Sequence, residues 1–216
     1  MSRKILILYA HPDPRQSEAG AALIKAAQSA PGVTVADLYA EYPRFDINAA
    51  REQARLAAHD VLVFQFPLYW YSTPALLKEW QDVVLQHDFA YGVDGNVLGG
   101  KLFFCAVTTG GPEAAYKADA GGHVSMRDLL TPLQQTALLC GMTWIAPFVV
   151  FSARRVARER RLYKHAVAWL DLLGALREDR LDIERAKRAA RLDTAPGAFI
   201  TPPKDDLQTK TKKGGI

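Results

Sequence analysis

Val61-Leu-Val-Phe-Gln-Phe-Pro67-Leu-Tyr-Trp-Tyr71-Ser72 is the stretch that decides the fold. Residues 61–66 are almost continuously apolar, which marks a strand buried on both faces. Two other segments have the same layout. The apolar run 5–10 leads into Tyr9-Ala10-His11-Pro12, and the run 102–107 leads into Thr108-Thr109-Gly110-Gly111. In an open parallel α/β sheet, ligands bind outside the carboxyl ends of the strands, where the strand order reverses. Three chemically loaded loops at three strand ends therefore describe one shared site. It is rich in hydrogen-bonding groups and aromatics and has no cluster of metal ligands.

Outward from this strand, helical and strand patterns alternate. A strand over 4–10 is followed by a helix over 17–29, for which Ser17 is the expected N-cap. Pro31-Gly32 breaks the chain before a short alternating strand over 33–37, a connector over 39–46 and a helix over 49–58. Thr73-Pro74 reads as N-cap and first position of a helix reaching residue 85, with Leu76, Leu77, Trp80, Val83 and Val84 as its apolar stripe. A strand over 101–107, a Gly- and Ala-rich mobile loop over 110–125, a helix over 126–140 and a strand over 144–151 follow. This alternation predicts a doubly wound, five-stranded parallel sheet with helices on both faces. Two more helices are expected over 156–175 and 181–192. The expected organisation is one domain over 1–193 and a flexible basic tail over 194–216.

With 216 residues, 49% of them hydrophobic, the chain can bury one good core. No apolar run nears the roughly 20 residues needed to cross a bilayer, and no secretory signal is recognisable. Cys105 and Cys140 both fall in apolar patterns and read as core residues of a cytosolic chain. The net charge of +4 is uneven: residues 153–216 hold 16 basic and 9 acidic side chains, against 11 and 14 before them. The proposed site thus lies on a mildly acidic body, which argues against a nucleic-acid-binding domain.

Each loop suggests its own chemistry. The first has neither a dinucleotide fingerprint nor a phosphate-binding lysine motif, but offers His11 and Arg15-Gln16-Ser17 at a helix start. A helix N-terminus with free N–H groups seats a phosphate monoester or pyrophosphate, to which His11 can donate. The second loop strings together Leu68, Tyr69, Trp70 and Tyr71, which cannot all face one core. They cover a flat ligand, form a hydrophobic dimer contact, or both. In the third, Thr108 and Thr109 supply hydroxyls, while Gly110 and Gly111 let main-chain donors approach a ring edge.

Together these segments resemble the flavodoxin-like NAD(P)H:quinone oxidoreductases, the DT-diaphorase group. The nearest likeness is to the KefF-type ancillary oxidoreductases of glutathione-gated potassium-efflux systems. The likeness is carried by the three loops, by Pro74, Leu77-Lys78 and Trp80, by Phe89-Ala90-Tyr91-Gly92, and by Pro132-Leu133-Gln134, Cys140-Gly141 and Pro147-Phe148. It spans about residues 3–175 and implies strand order 2-1-3-4-5. It also implies a bound flavin, FMN with FAD as the alternative. His11, Ser17, Glu18, Ala19 and Gly20 would hold its phosphate end, and Pro67, Leu68, Tyr69, Trp70 and Tyr71 its ring. Thr108, Thr109, Gly110 and Gly111 would meet the polar edge of that ring. Tyr116 and His123 are the candidate catalytic residues, relaying charge to the reduced ring.

The resemblance further implies a homodimer in which Tyr91 reaches the neighbouring subunit. Segment 112–125 and the longer, more basic C-terminus depart from the potassium-efflux type. The expected function is two-electron transfer from NAD(P)H through flavin to a quinone. The alternative is a regulatory flavoprotein activating a glutathione-gated potassium-efflux antiporter. The expected location is the cytoplasm, with a peripheral position at the inner face of the cell membrane as the variant.

Overall fold

A computed structural model describes residues 2–93, 95–119, 122–193 and 196–202. In chain order the elements are β1 (Ile5–Tyr9), α1 (Glu18–Ser29), β2 (Val33–Asp37), α2 (Leu38–Glu41), α3 (Ala49–Ala57), β3 (Val61–Pro67), α4 (Ala75–Val84) and β4 (Leu102–Thr108). Then come α5 (Met126–Leu129), α6 (Thr131–Leu139), β5 (Thr143–Trp144), β6 (Phe148–Val150), α7 (Ala153–Arg158), α8 (Leu162–Arg177) and α9 (Ile183–Arg188).

The strands form one parallel sheet of order β2-β1-β3-β4-β5, with β6 also paired to β4. Every residue of β1, β3 and β4 is buried, as continuous apolar runs demand of strands covered on both faces. Side chains alternate between two cores. Leu6, Leu8, Phe64, Phe66 and Phe103 pack with Trp80 of α4 and residues of α2, α3, α5 and α6. Ile5, Ile7, Val61, Val63 and Phe104 face α1, α8 and α9 on the other side, around Trp169. The register pairs Tyr9 with Gln65 and Pro67 with Thr108, so the tips of β1, β3 and β4 end level. With β2 on one flank of β1 and β3 on the other, the order in which strands are added to the sheet reverses at β1/β3.

The N-terminal part of α3 is anchored by a carboxylate. Glu52, fully buried, accepts from Tyr42 Oη at 2.8 Å, Trp80 Nε1 at 3.0 Å and Arg55 Nη1 at 2.8 Å. Arg55 in turn reaches Glu41 at 2.9 Å. Each partner of this charge is hydrogen-bonded, which is the condition for tolerating it inside.

Several expected elements are corrected. The strand over 144–151 is two short strands, making six rather than five. Ile145 N–H still bonds Phe103 O at 3.1 Å, but Ala146 N–H turns to Ala186 O at 3.1 Å, and Pro147 has no N–H to offer. The helix over 126–140 divides at Leu130, where Pro132 at the start of α6 cannot extend the preceding hydrogen-bond ladder. The helix over 156–175 is α7 plus α8, separated at Arg160, whose φ is 53°. Of the charged helix over 181–192 only α9 is helical, with Asp182 accepting from Arg185 N–H at 3.0 Å as its cap. Pro74, not Thr73, occupies the N-cap of α4. Ser17 does stand at the N-cap of α1, but its side chain makes no capping bond there. The connector over 39–46 opens within α2, whose first N–H groups are capped by Asp37.

Part of the segment expected as a flexible tail returns to the body. Leu181 bridges Ile200, and Thr201 N–H donates to Arg180 O at 2.8 Å. Residues 194, 195 and 203–216 of that expected tail lie outside the described residues. Among the described residues no helix is long and apolar enough to cross a membrane, and no cluster of His, Cys, Asp or Glu could hold a metal. Both cysteines are buried and unbonded to each other.

Candidate functional site

At the level tips of β1, β3 and β4 lies a cleft of about 780 Å3, within the range of about 300–1,000 Å3 usual for small-molecule sites. It collects His11 from the first loop and Ser17, Glu18, Ala19 and Gly20 from the start of α1. Pro67, Leu68, Tyr69, Trp70 and Tyr71 come from the second loop, and Thr108, Thr109, Gly110, Gly111 and Tyr116 from the third. All fourteen positions expected to bind a cofactor are thus brought together.

The α1 end presents main-chain N–H groups that no helical bond uses. The first intrahelical bond is Ala21 N–H to Ser17 O, 2.7 Å, so the N–H groups of Glu18, Ala19 and Gly20 precede the helical ladder. Buried Gln65 fixes the turn by donating from Nε2 to Gly20 O at 3.1 Å. A Cβ on Gly20 would lie 2.3 Å from Ser17 Oγ and 3.2 Å from Tyr9 Oη, so no larger residue fits without moving them. His11 is 4% exposed, and burial holds its pKa below the ordinary histidine value. Its Nδ1 accepts from Asp13 N–H at 3.1 Å, which leaves the proton on Nε2, 3.4 Å from Tyr69 Oη. His11 is therefore a neutral donor that faces the Tyr69 hydroxyl within the cleft.

The aromatic end is strained. Tyr69 and Ser72 exchange both backbone hydrogen bonds, 3.2 and 3.0 Å, around a two-residue turn. The turn residues Trp70 and Tyr71 have φ values of 49° and 65°. Two successive left-handed residues normally call for Asn or Gly. Here they are the most exposed aromatics of the cleft, 93% and 63%. Rare backbone conformations concentrate at functional sites, because the fold must supply the energy that holds them.

The third loop is locked from both sides. Leu68 N–H donates to Thr108 O at 2.9 Å, Thr109 N–H to Val150 O at 3.0 Å, and Ser152 N–H to Gly111 O at 2.9 Å. Thr109 Oγ1 donates to Gly111 O at 2.9 Å. A Cβ on Gly110 would meet nothing within 4 Å, whereas one on Gly111 would lie 3.4 Å from Tyr116 Oη. Tyr116, on a 3-10 turn over Glu113–Tyr116, thus places its hydroxyl against the Gly pair. Gly110, Gly111 and Tyr116 line the cleft together with the aromatic loop.

His123 is not among the residues lining the cleft. It is exposed, with Nδ1 2.6 Å from Asp119 Oδ2. Three lining residues escaped the candidate set: Gln16, Ala153 and Arg154. Gln16 was visible at the helix start. Ala153 and Arg154 begin α7, at the carboxyl end of β6, so the strand-end rule covers them too. That loop has no aromatic or glycine run to draw notice. Since α7 packs on α1, Arg154 adds positive charge to the α1 end of the cleft.

A doubly wound parallel sheet of order β2-β1-β3-β4-β5, with a cleft at the carboxyl tips of β1, β3 and β4, defines a flavodoxin-like protein. The Flavodoxin_2 family, described by its flavodoxin-like fold, matches residues 3–173, and this chain belongs to it. The glutathione-regulated potassium-efflux system ancillary protein KefG of Cronobacter sakazakii is 53% identical over 152 residues, 70% of this chain and 83% of its own. Among solved structures, general stress protein 14 of Treponema denticola in complex with FMN is 39% identical with a TM-score of 0.72, covering 79% of this chain and all but 1% of that one (99%). The NADPH-quinone reductase of P. pentosaceus is 30% identical with a TM-score of 0.68, covering 78% and 96%.

Proposed function

We propose that this protein is an FMN-dependent NAD(P)H:quinone oxidoreductase. The observation that carries the reading is the convergence of an anion seat, an exposed aromatic turn and an amide donor edge on one cleft. The residues present suit a flavin mononucleotide: the α1 N-terminus and His11 meet a phosphate monoester, and the space above Gly110 admits a ring edge. The FMN complex of the Treponema denticola relative supports FMN over FAD. Bound FMN would accept two electrons with a proton from NAD(P)H and deliver them to a quinone or similar electrophile.

The protein's own part is orientation and electrostatics. The N–H groups of Glu18, Ala19 and Gly20, with Arg154 nearby, hold the phosphate. Tyr69, Trp70 and Tyr71 would hold the ring by stacking and keep water from it. Gly110 and Gly111 N–H and Tyr116 Oη would donate to the polar edge of the ring, the electrostatics a reducible heterocycle requires. Tyr116 is the catalytic residue of this scheme; His123, outside the cleft, is assigned no direct contact. In a homodimer, Tyr91 would reach the neighbouring subunit.

A second reading rests on the KefG relative: the flavoprotein acts at the cytoplasmic membrane face as an ancillary subunit of a potassium-efflux system. The two readings share the same site. The test is to release the cofactor by heat, identify it with and without phosphodiesterase, and assay NADH- and NADPH-dependent quinone reduction. Yellow protein releasing FMN and reducing quinone supports the enzyme. Colourless protein that takes up no flavin and reduces no quinone overturns it. FMN binding without turnover, together with restored electrophile-triggered potassium efflux in cells, supports the ancillary role.

A further inference from the structure

A second cavity, of about 720 Å3, adjoins the cleft, and Tyr116 lines both. We propose that it is the subsite for the phosphorylated adenylate end of the nicotinamide dinucleotide, and that it selects NADPH over NADH. This rests on the oxidoreductase reading above and adds a donor preference to it.

The cavity gathers five cations, Lys117, Arg127, Arg185, Arg188 and Arg191, around one carboxylate, Glu113. A concavity with such an excess of one sign concentrates ligands of the other sign. The cations have different tasks. Arg127 Nη1 donates to Lys187 O at 2.8 Å and Ala189 O at 2.5 Å, fixing the end of α9. Arg191 pairs with Glu113 at 3.1 Å and lies over the Phe151 ring at 5.1 Å, while Lys117 takes Glu113 at 3.0 Å. Arg185 and Arg188 are exposed, one turn apart on α9, and have no carboxylate partner among the described residues. The Arg185 guanidinium lies over the Phe199 ring, 6.0 Å from its centroid, and its N–H groups meet no carboxylate among the described residues. Two such guanidinium groups on a staked-down helix suit a phosphate dianion, which they can grip in paired hydrogen bonds.

Tyr116, shared by both cavities, packs on Phe151 of the second. Tyr116 and Phe151 have ring centroids 5.5 Å apart and a 36° interplanar angle. A ligand that spans both spaces must have a planar group at one end, anionic charge at the other and a flexible link between them. A dinucleotide meets all three requirements. NADPH differs from NADH by one phosphate monoester, which carries about −1.5 to −2 charge near pH 7. Arg185, Arg188 and Arg191 all lie beyond residue 173, where the family match ends. The preference is therefore written in this chain's C-terminal extension, not in the shared fold.

The experiment is calorimetric titration of the FMN-loaded protein with adenosine 2′,5′-bisphosphate, 5′-AMP and inorganic phosphate. The bisphosphate should bind at least about tenfold tighter than 5′-AMP, a difference of about 1.4 kcal/mol. The variant Arg185→Ala/Arg188→Ala should abolish that advantage. It should raise KM for NADPH about tenfold while leaving kcat and the KM for NADH within about twofold. Arg188→Gln alone, a change at an exposed position, should show part of the same loss. Equal binding of bisphosphate and 5′-AMP, or an advantage that survives both variants, overturns the subsite. Quinone reduction with reduced nicotinamide riboside, a donor without adenylate, separates the two failures. Turnover with that donor but no bisphosphate preference sinks the subsite alone; no turnover with any donor sinks the oxidoreductase reading.

Discussion

The turn at Trp70-Tyr71 allows fold stability and ligand affinity to be driven in opposite directions. In the double variant Trp70→Asn/Tyr71→Gly, both residues are replaced by types that accept positive φ readily. The left-handed conformation costs an ordinary residue about 1–2 kcal/mol. Against this relief stands the entropy of the new glycine, about 0.5–1 kcal/mol. Trp70 is 93% and Tyr71 63% exposed, so little buried area is lost. Over both residues the net gain is about 1–3.5 kcal/mol, or a rise of about 2–14 °C in Tm for a chain of this size. Flavin affinity should fall about tenfold, because an aromatic stack worth about 0.5–1.5 kcal/mol goes with each ring. The assays are calorimetric melting of flavin-free protein and quenching of flavin fluorescence on titration. A lower melting temperature would show that the aromatics hold the fold or a dimer together. Unchanged FMN affinity would show that the strained turn does not serve the cleft. Either result refutes the reasoning.

Three further outcomes are expected. Glu52→Ala leaves Arg55, Trp80 Nε1 and Tyr42 Oη without their acceptor, which should cost about 3–5 kcal/mol and lower Tm by about 6–20 °C. Glu52→Gln should lose less, and melting curves rank the two. Burial pushes the Asp193 carboxyl from 3.8 up to about 6, so the folded state holds a proton the unfolded chain releases. Its stabilisation is full below pH 3.8 and is lost as pH rises through 6, a change of about 3 kcal/mol. Asp193→Asn keeps an acceptor for Val149 N–H and should outlast the parent in urea at pH 7 but match it at pH 4; a pH-independent difference would count against the assignment. Gly20→Ala drives a methyl into Ser17 Oγ, so FMN affinity should drop about tenfold while riboflavin, which has no phosphate, stays within about twofold. Equal losses for both would move the phosphate elsewhere.

Much of the fold can be read from the residues because its signals are local. The runs 5–10, 61–66 and 102–107 can only be strands covered twice, and the loops behind them carry the chemistry whatever their neighbours. The aromatic loop and the Gly pair were legible for the same reason. His123 and Arg154 were not. Spacing along a loop does not say which way the chain turns, and His123 is turned toward Asp119. Arg154 sits in a segment with no motif and matters only because α7 packs beside α1. The splits at Leu130 and Pro147 are proline effects whose outcome depended on partners outside their own segments, such as Ala186 O for the N–H of Ala146.

By itself the sequence determined the alternation of strands and helices, the burial of both sheet faces and the three loops at the strand ends, since each follows from neighbours a few residues apart. Only the tertiary structure decided that β1, β3 and β4 end level, that Trp70 and Tyr71 are held left-handed in the open, and that arginines from α9 line a cavity sharing Tyr116 with the cleft. Those features depend on packing between segments far apart in the chain, which no local pattern encodes.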